Sequence, residues 1–192
     1  MEKKEEIICA AAALFAEKGY AFPLADLAAA VNIKTPSLYS HFHSKEDIIK
    51  AAVRSEIASY NSELRALTDS CKEMSCRERL ETLFTHMLVY MGESGGFWKN
   101  LMLVPNTELR KRCLDAIISG NKWFSDVLRS YFKDGVSAGV LKPGAEENAV
   151  YLYYTTILGL TDIILLSKST DFDMRDYAER TWQIFWSGIS AK

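Results

Sequence analysis

At 192 residues the chain is long enough to bury a real core, as one domain or as a small domain and a larger one. Its formal net charge of −2 excludes a generic polyanion binder, whose basic excess would show in the totals, so any contact with nucleic acid has to come from a local patch. The four cysteines, Cys9, Cys71, Cys76 and Cys113, form no CxxC pair and have no histidine at zinc-finger spacing, which argues against a metal site or a disulfide framework and for reduced thiols.

The N-terminal run Met1-Glu2-Lys3-Lys4-Glu5-Glu6 lacks the apolar stretch and small-residue cleavage site of a secretory signal, so the expected location is the cytoplasm. Ile7, Ala11, Leu14, Phe15 and Lys18 recur at a helical period and then meet Gly19, which predicts a first helix over about 2–18 with a glycine stop. Leu24 to Val31 reads as a helix of about two turns. Asn32-Ile33-Lys34 makes a tight turn, and a second short helix runs from Pro36 to about Phe42. Thr35 is placed to cap it, and Pro36 falls at the first helical position, where its missing N–H costs nothing. Two short helices across so tight a turn are a helix-turn-helix signal.

Ser44, with Asp47 three residues on, opens a long fourth helix. No Gly or Pro interrupts residues 45–91, so the break has to come from the polar segment Thr68 to Lys72, after which Ser75 and Glu78 form another capping box. The fifth helix is predicted over about 75–91, ending at Gly92 and the Gly95-Gly96 pair, and a short apolar piece from Phe97 to Val104 leads to Pro105. Helices over about 106–119, 121–138, 145–167 and 173–189 follow, punctuated by Gly139, Pro143-Gly144 and the stretch Ser167 to Asp171. The expected fold is all-α, about nine helices, with a three-helix domain over residues 1–46 and a helical body over 47–192.

Residues 149–166, AVYLYYTTILGLTDIILL, are apolar and long enough to raise the question of a membrane span. Asp162, three threonines and a glycine lie inside the stretch and no basic clusters flank it, so burial in a core or a subunit interface fits better.

The functional signal lies in Leu24 to Ile49, LADLAAAVNIKTPSLYSHFHSKEDII. No acid occurs between Asp26 and Glu46, while Lys34, His41, His43 and Lys45 all fall there, which is the local patch that DNA requires. Leu27, Leu38 and Phe42 are the apolar positions that lock the short helices together, because helices this short need tertiary packing. Ser37, Tyr39, Ser40 and His41 are then left to face outward.

This string resembles the DNA-binding domain of TetR-family regulators. The Leu27-Ala28 pair in the second helix, Ser37-Leu38-Tyr39-Ser40-His41-Phe42 as the recognition helix and Ser44-Lys45-Glu46 at the entry to helix four all match the family pattern, over residues 1 to about 49. The resemblance implies a recognition helix whose N-terminal end approaches base edges in the major groove, with Lys34, Thr35, Ser37, Tyr39, Ser40 and His41 on bases and flanking phosphates. It also implies a phosphate contact from Lys45 together with the start of helix four. The implied function is a homodimeric repressor of a near-palindromic double-stranded operator, released by a small hydrophobic or aromatic effector and needing no cofactor.

Three departures stand out. Asn32 occupies the turn where Gly is common, and Asn is the best non-glycine residue for a left-handed backbone. Phe22-Pro23-Leu24 stands where helix two usually opens with a capping Ser or Thr, so one phosphate contact is lost or supplied otherwise. No basic N-terminal arm is present, since residues 1–50 hold six Lys against seven Asp or Glu, and nonspecific DNA affinity should be modest and salt-sensitive.

Seventeen of the 22 aromatic side chains lie after residue 48, and most of them build core. The proposed effector lining draws on Phe84, His86, Met87, Met91, Trp98, Met102, Trp123 and Tyr154, a largely apolar set with few polar groups. His86 lies among apolar neighbours and reads equally as a hydrogen-bonded core histidine, and His43 as a solvated loop residue. The last two helices carry more apolar surface than one neighbour covers: Ala178, Trp182, Phe185 and Ile189 on one stripe and Tyr177, Thr181, Ile184 and Gly188 on another. By resemblance they pair with their symmetry mates in a four-helix bundle.

Catalysis is not expected, because the sequence shows no nucleophile elbow, phosphate loop or metal spacing, and two of its three histidines fall in the DNA motif. The alternative is a helical dimeric adaptor that no longer binds DNA, which the unusual opening of helix two and the acidic balance keep open.

Overall fold

The structure, a computed structural model, describes residues 2–166 and 174–191. Among them are eight α-helices: α1 (Lys3–Lys18), α2 (Leu24–Ala30), α3 (Thr35–Leu38), α4 (Lys45–Ser70), α5 (Cys76–Met102), α6 (Thr107–Ser137), α7 (Ala145–Leu166) and α8 (Met174–Ile189), with a single 3-10 turn at Gly19–Ala21. The fold is all-α, as the sequence periodicity requires; among the described residues the one β-type contact is an isolated bridge between Leu141 and Ser190. No helix among the described residues is long and apolar enough to cross a membrane. The predicted break from Ser167 to Asp171 lies outside the described residues.

Local chemistry explains most helix ends. Glu2 and Glu5 form a capping box at the start of α1, and Gly19 ends it at φ 66°. The Ser44 hydroxyl accepts from Asp47 N at 3.1 Å to open α4, and Ser75 and Glu78 bond reciprocally before α5. Asn32 takes φ 54°, the left-handed conformation that the turn demands.

Two sequence expectations are corrected. Thr35 does not cap the recognition segment: Lys34 stands at the N-cap without a side-chain bond, and Thr35 is already the first residue of α3. The α3 helix is also shorter than expected, and the segment continues to Phe42 through single turns, with Tyr39 N on Pro36 O and His41 N on Leu38 O. The second correction concerns glycines. Helix five does not stop at Gly92, and the pieces expected at 106–119 and 121–138 are one helix. Gly96 and Gly120 are contact positions: a Cβ on Gly96 would lie 3.0 Å from the Ala16 carbonyl oxygen, and one on Gly120 would lie 2.7 Å from Ile57 Cγ2. Close tertiary packing outweighs the intrinsic helix penalty of glycine at both.

The residues pack as two units, one built from Met1–Ser62 and Ser94–Asn121, the other from Glu63–Glu93 and Lys122–Lys192. The first has a core of Ile7, Phe15, Phe22, Leu27, Leu38 and Phe42 with Ile48, Ile49, Phe97 and Leu101. These are the helical-period positions of α1 and the motif, which explains how two helices of at most seven residues persist. The second unit centres on aromatic packing. Tyr153 meets Phe84, Phe132 and Phe185 at ring-centroid distances of 5.5, 6.1 and 5.7 Å, and its hydroxyl donates to Leu80 O at 2.8 Å.

Candidate nucleic-acid interface

The recognition segment divides as its sequence pattern requires. Leu38 is fully buried and Phe42 nearly so, while Lys34, Ser37, Tyr39, Ser40 and His41 are exposed and Thr35 is half-buried. Tyr39 is 54% exposed, which leaves its ring and hydroxyl open to a surface contact. The Ser40 hydroxyl donates to Ser37 O at 2.7 Å, which steadies the non-helical end of the segment. His43 is exposed in the loop.

Lys45 has a second set of contacts that the sequence did not disclose. Its ammonium donates to the Phe22 carbonyl oxygen at 2.6 Å and lies over the rings of Phe22 and Tyr20, at 4.4 and 5.2 Å from their centroids. Desolvation by these neighbours lowers its pKa from the ordinary lysine value, against a smaller opposing pull from Glu46. An ammonium has three donors, so one carbonyl bond leaves two for a phosphate. Beside it, the Tyr20 hydroxyl donates to Glu46 Oε1 at 2.7 Å, and Lys18 pairs with Asp26 at 2.8 Å. The unusual Phe22-Pro23-Leu24 opening of α2 is therefore secured by a buried phenyl ring and by a carbonyl held from α4.

The eight residues named as effector lining fall in both units. Phe84, His86, Met87, Met91, Trp123 and Tyr154 belong to the second, Trp98 and Met102 to the first. Phe84 and Met87 are buried, with Phe84 packed on Tyr153 and Trp182. His86 Nε2 lies 3.9 Å from Glu63 Oε2, the Arg65 guanidinium lies 4.0 Å over the Trp123 ring, and Tyr154 shares a 3.3 Å hydrogen bond with Ser125. Burial raises the Tyr154 pKa, keeping its hydroxyl protonated and able to donate. Met91 is half-buried. In the first unit Trp98 packs edge-on against Phe97 at 5.1 Å, and Met102 is 53% exposed.

The reading of single residues missed Asn100. Its side-chain amide donates to the main-chain oxygens of Phe15 and Ala16, each at 2.9 Å, and so ties the end of α1 to α5. The one trace in the sequence is Gly96, a turn earlier on the same helix face, where only a hydrogen lets α1 approach.

Comparison with known proteins agrees with the geometry. Residues 7–52 match the bacterial regulatory proteins of the tetR family. The biofilm operon icaADBC HTH-type negative transcriptional regulator IcaR of Staphylococcus aureus (strain Newman) is 50% identical over 52 residues, 27% of this chain and 28% of that one, so the match spans little more than a quarter of the relative's length. The HTH-type transcriptional repressor KstR2 of Mycolicibacterium smegmatis is 24% identical over 161 residues, covering 79% of this chain and 73% of that one. Over nearly the whole length, the fold is similar to that of the transcriptional regulator FadR from Bacillus subtilis, solved in complex with stearoyl-CoA, with a TM-score of 0.74 at 19% identity and coverage of 96% and 98%. The helix-turn-helix of residues 7–52, with its apolar lock buried and its polar face outward, is thus similar to the DNA-binding domain of bacterial regulatory proteins of the tetR family, and the all-helical fold that follows it is similar to that of solved regulators.

Proposed function

We propose that the chain is a cytoplasmic, ligand-responsive transcriptional repressor that binds a near-palindromic operator as a homodimer and is released by a small hydrophobic effector. The observation that carries this reading is the exposed face of Lys34, Ser37, Tyr39, Ser40 and His41 over the buried Leu38 and Phe42, in a segment half identical to a negative transcriptional regulator. In this reading residues 1–46 form the DNA-binding domain and 47–192 the effector-binding and dimerisation body. Ser37, Thr35 and Ser40 address bases, and Lys34, Tyr39, His41 and Lys45 address the flanking backbone.

Dimerisation is assigned to α7 and α8. Tyr151, Leu152 and Leu158 on α7 are 64, 51 and 56% exposed, and Ile184 on α8 is 74% exposed, while Trp182 and Phe185 on the opposite stripe are buried. Such a surface belongs against a second copy. Two-fold pairing presents two recognition segments to successive major-groove faces about 34–36 Å apart or a multiple of that.

The effector lining is assigned to the second unit, to Phe84, His86, Met87, Met91, Trp123 and Tyr154. Trp98 and Met102 pack in the first unit and are left out of it. The stearoyl-CoA complex of the Bacillus subtilis regulator supports a long apolar ligand class for a fold of this kind.

Selection of bound sequences from random duplex DNA tests the reading. An inverted repeat should emerge for the wild type and be lost with Tyr39→Ala. Enrichment of no sequence would favour the adaptor alternative. Ile184→Glu should shift sedimentation from dimer to monomer without loss of helicity, and an unchanged dimer would remove α8 from the interface.

A further inference from the structure

The first unit carries a cleft whose lining includes none of the recognition-segment residues. It encloses about 270 Å³ between Lys50, Val53 and Arg54 of α4 and Arg112, Cys113, Asp115 and Ala116 of α6. A second hollow of about 210 Å³ shares Lys50 and Arg112 with it. The spacing of Lys50, Val53 and Arg54, and of Arg112, Cys113 and Ala116, sets each group on one face of its helix.

The floor is buried and apolar and the rim is charged. Val53 and Cys113 are 1% and 2% exposed, whereas Arg54, Arg112 and Asp115 are exposed. Burial pushes the Cys113 thiol up from its ordinary range while Lys50 and Arg54 pull it down, so the fields of both cations reach the floor. Two of the three cations have intrahelical partners: Lys50 lies 2.5 Å from Asp47, and Arg112 lies 2.9 Å from Glu108. Pairs of this kind are partly or fully solvated and weak, and an incoming anion exchanges with them readily. Arg54 has no ion pair among the described residues. The cleft lining sets three cations beside the carboxylate of Asp115, and with Asp47 and Glu108 paired to two of them the donors are in place without a net excess of charge.

We propose that this cleft binds a small phosphate-bearing anion, with Arg54 and Arg112 as forked donors and Lys50 as a point charge. Guanidinium groups match the paired oxygens of phosphate, and the volume admits a phosphomonoester or a pyrophosphate. Three donor groups around one cavity suit the several oxygens of a phosphate, whereas a monocarboxylate offers two. The site lies in the first unit and does not rest on the effector lining assigned to the second.

The test is titration calorimetry of the full chain with pyrophosphate at constant ionic strength. Saturable binding at one site per chain is expected, at least tenfold weaker in Arg54→Gln/Arg112→Gln. It should be unchanged in Arg129→Gln, whose exposed pair with Asp126 belongs to the second unit. Acetate should not compete. All the substituted side chains are exposed, and circular dichroism checks that the variants fold. Absence of saturable heat in the wild type overturns the proposal, as does equal affinity in the double variant or equal loss in Arg129→Gln. A reduced salt dependence of operator binding in the double variant, without pyrophosphate binding by the wild type, would assign the cations to the DNA backbone and also overturn it.

Discussion

The Asn100 amide nitrogen lies 2.9 Å from the main-chain oxygen of Ala16 and holds, from α5, the end of a helix that Gly19 terminates. The last carbonyls of a helix have no intrahelical donor. Phe15 O accepts from Gly19 N as well as from Asn100, whereas Ala16 O is served by Asn100. Asn100→Ala should therefore destabilise the chain by about 1–3 kcal/mol, the cost of leaving part-buried acceptors unmade. Urea unfolding measures it, and a loss within about 0.5 kcal/mol, the range of ordinary surface changes, would show that water replaces the amide.

Gly120 and Ile57 supply a test of α4–α6 packing in the first unit. In an unconstrained helix Gly→Ala stabilises by about 1 kcal/mol. Here the added Cβ meets Ile57 Cγ2 at 2.7 Å, and Ile57 is buried. Gly120→Ala is expected to destabilise by about 1–3 kcal/mol through overpacking. Ile57→Ala removes the obstructing methyl, so the two substitutions together should cost less than their sum. Additive thermal or urea data would place the strain elsewhere.

These glycines also show where sequence and structure part. Capping signals at Ser44 and Ser75, the left-handed Asn32 and the apolar lock of Leu27, Leu38 and Phe42 are local features, and each is found as the sequence implies. A glycine that ends a helix and one that admits a neighbour look alike in one sequence, because the difference lies in residues far along the chain: Ala16 for Gly96 and Ile57 for Gly120. Lys45 was legible as a cation at a helix start, and the Phe22 carbonyl that holds it was not. The effector residues were the least legible, since an aromatic such as Phe84 reads the same whether it fills a core or lines a cavity.

The Tyr20–Glu46 bond should give the reading domain a pH-dependent stability term. Hydrogen bonding from Tyr20 is the largest cause holding the Glu46 carboxyl below its ordinary pKa, and the same bond raises that of Tyr20. A depressed carboxylate contributes stability above its unfolded pKa and loses it as pH falls through the folded one. A raised phenol contributes below its unfolded pKa and loses the contribution as pH rises through the folded one. The difference between wild type and Tyr20→Phe should thus be about 0.5–1.5 kcal/mol at neutral pH and shrink on both the acid and the alkaline side. Urea midpoints across pH measure it; a difference independent of pH would mean that Tyr20 acts by packing alone.

Lys45 and Tyr39 should separate a residue that both builds and binds from one that only binds. Lys45→Ala removes a 2.6 Å bond to Phe22 O and two cation–π contacts in a part-buried setting, so stability should fall by about 1–2 kcal/mol. If its remaining donors also reach a phosphate, operator affinity falls across all sequences, and the slope of log affinity against log salt drops by about one. Tyr39, 54% exposed, should behave differently: Tyr39→Ala weakens operator binding while leaving the urea midpoint unchanged. Fluorescence anisotropy of a labelled operator over a salt series, read beside urea melts of the same proteins, separates the two. A Lys45→Ala protein with lowered stability and an unchanged salt slope would make Lys45 a tie between α4 and the α2 opening, and would leave the phosphate contact to Lys34 and His41.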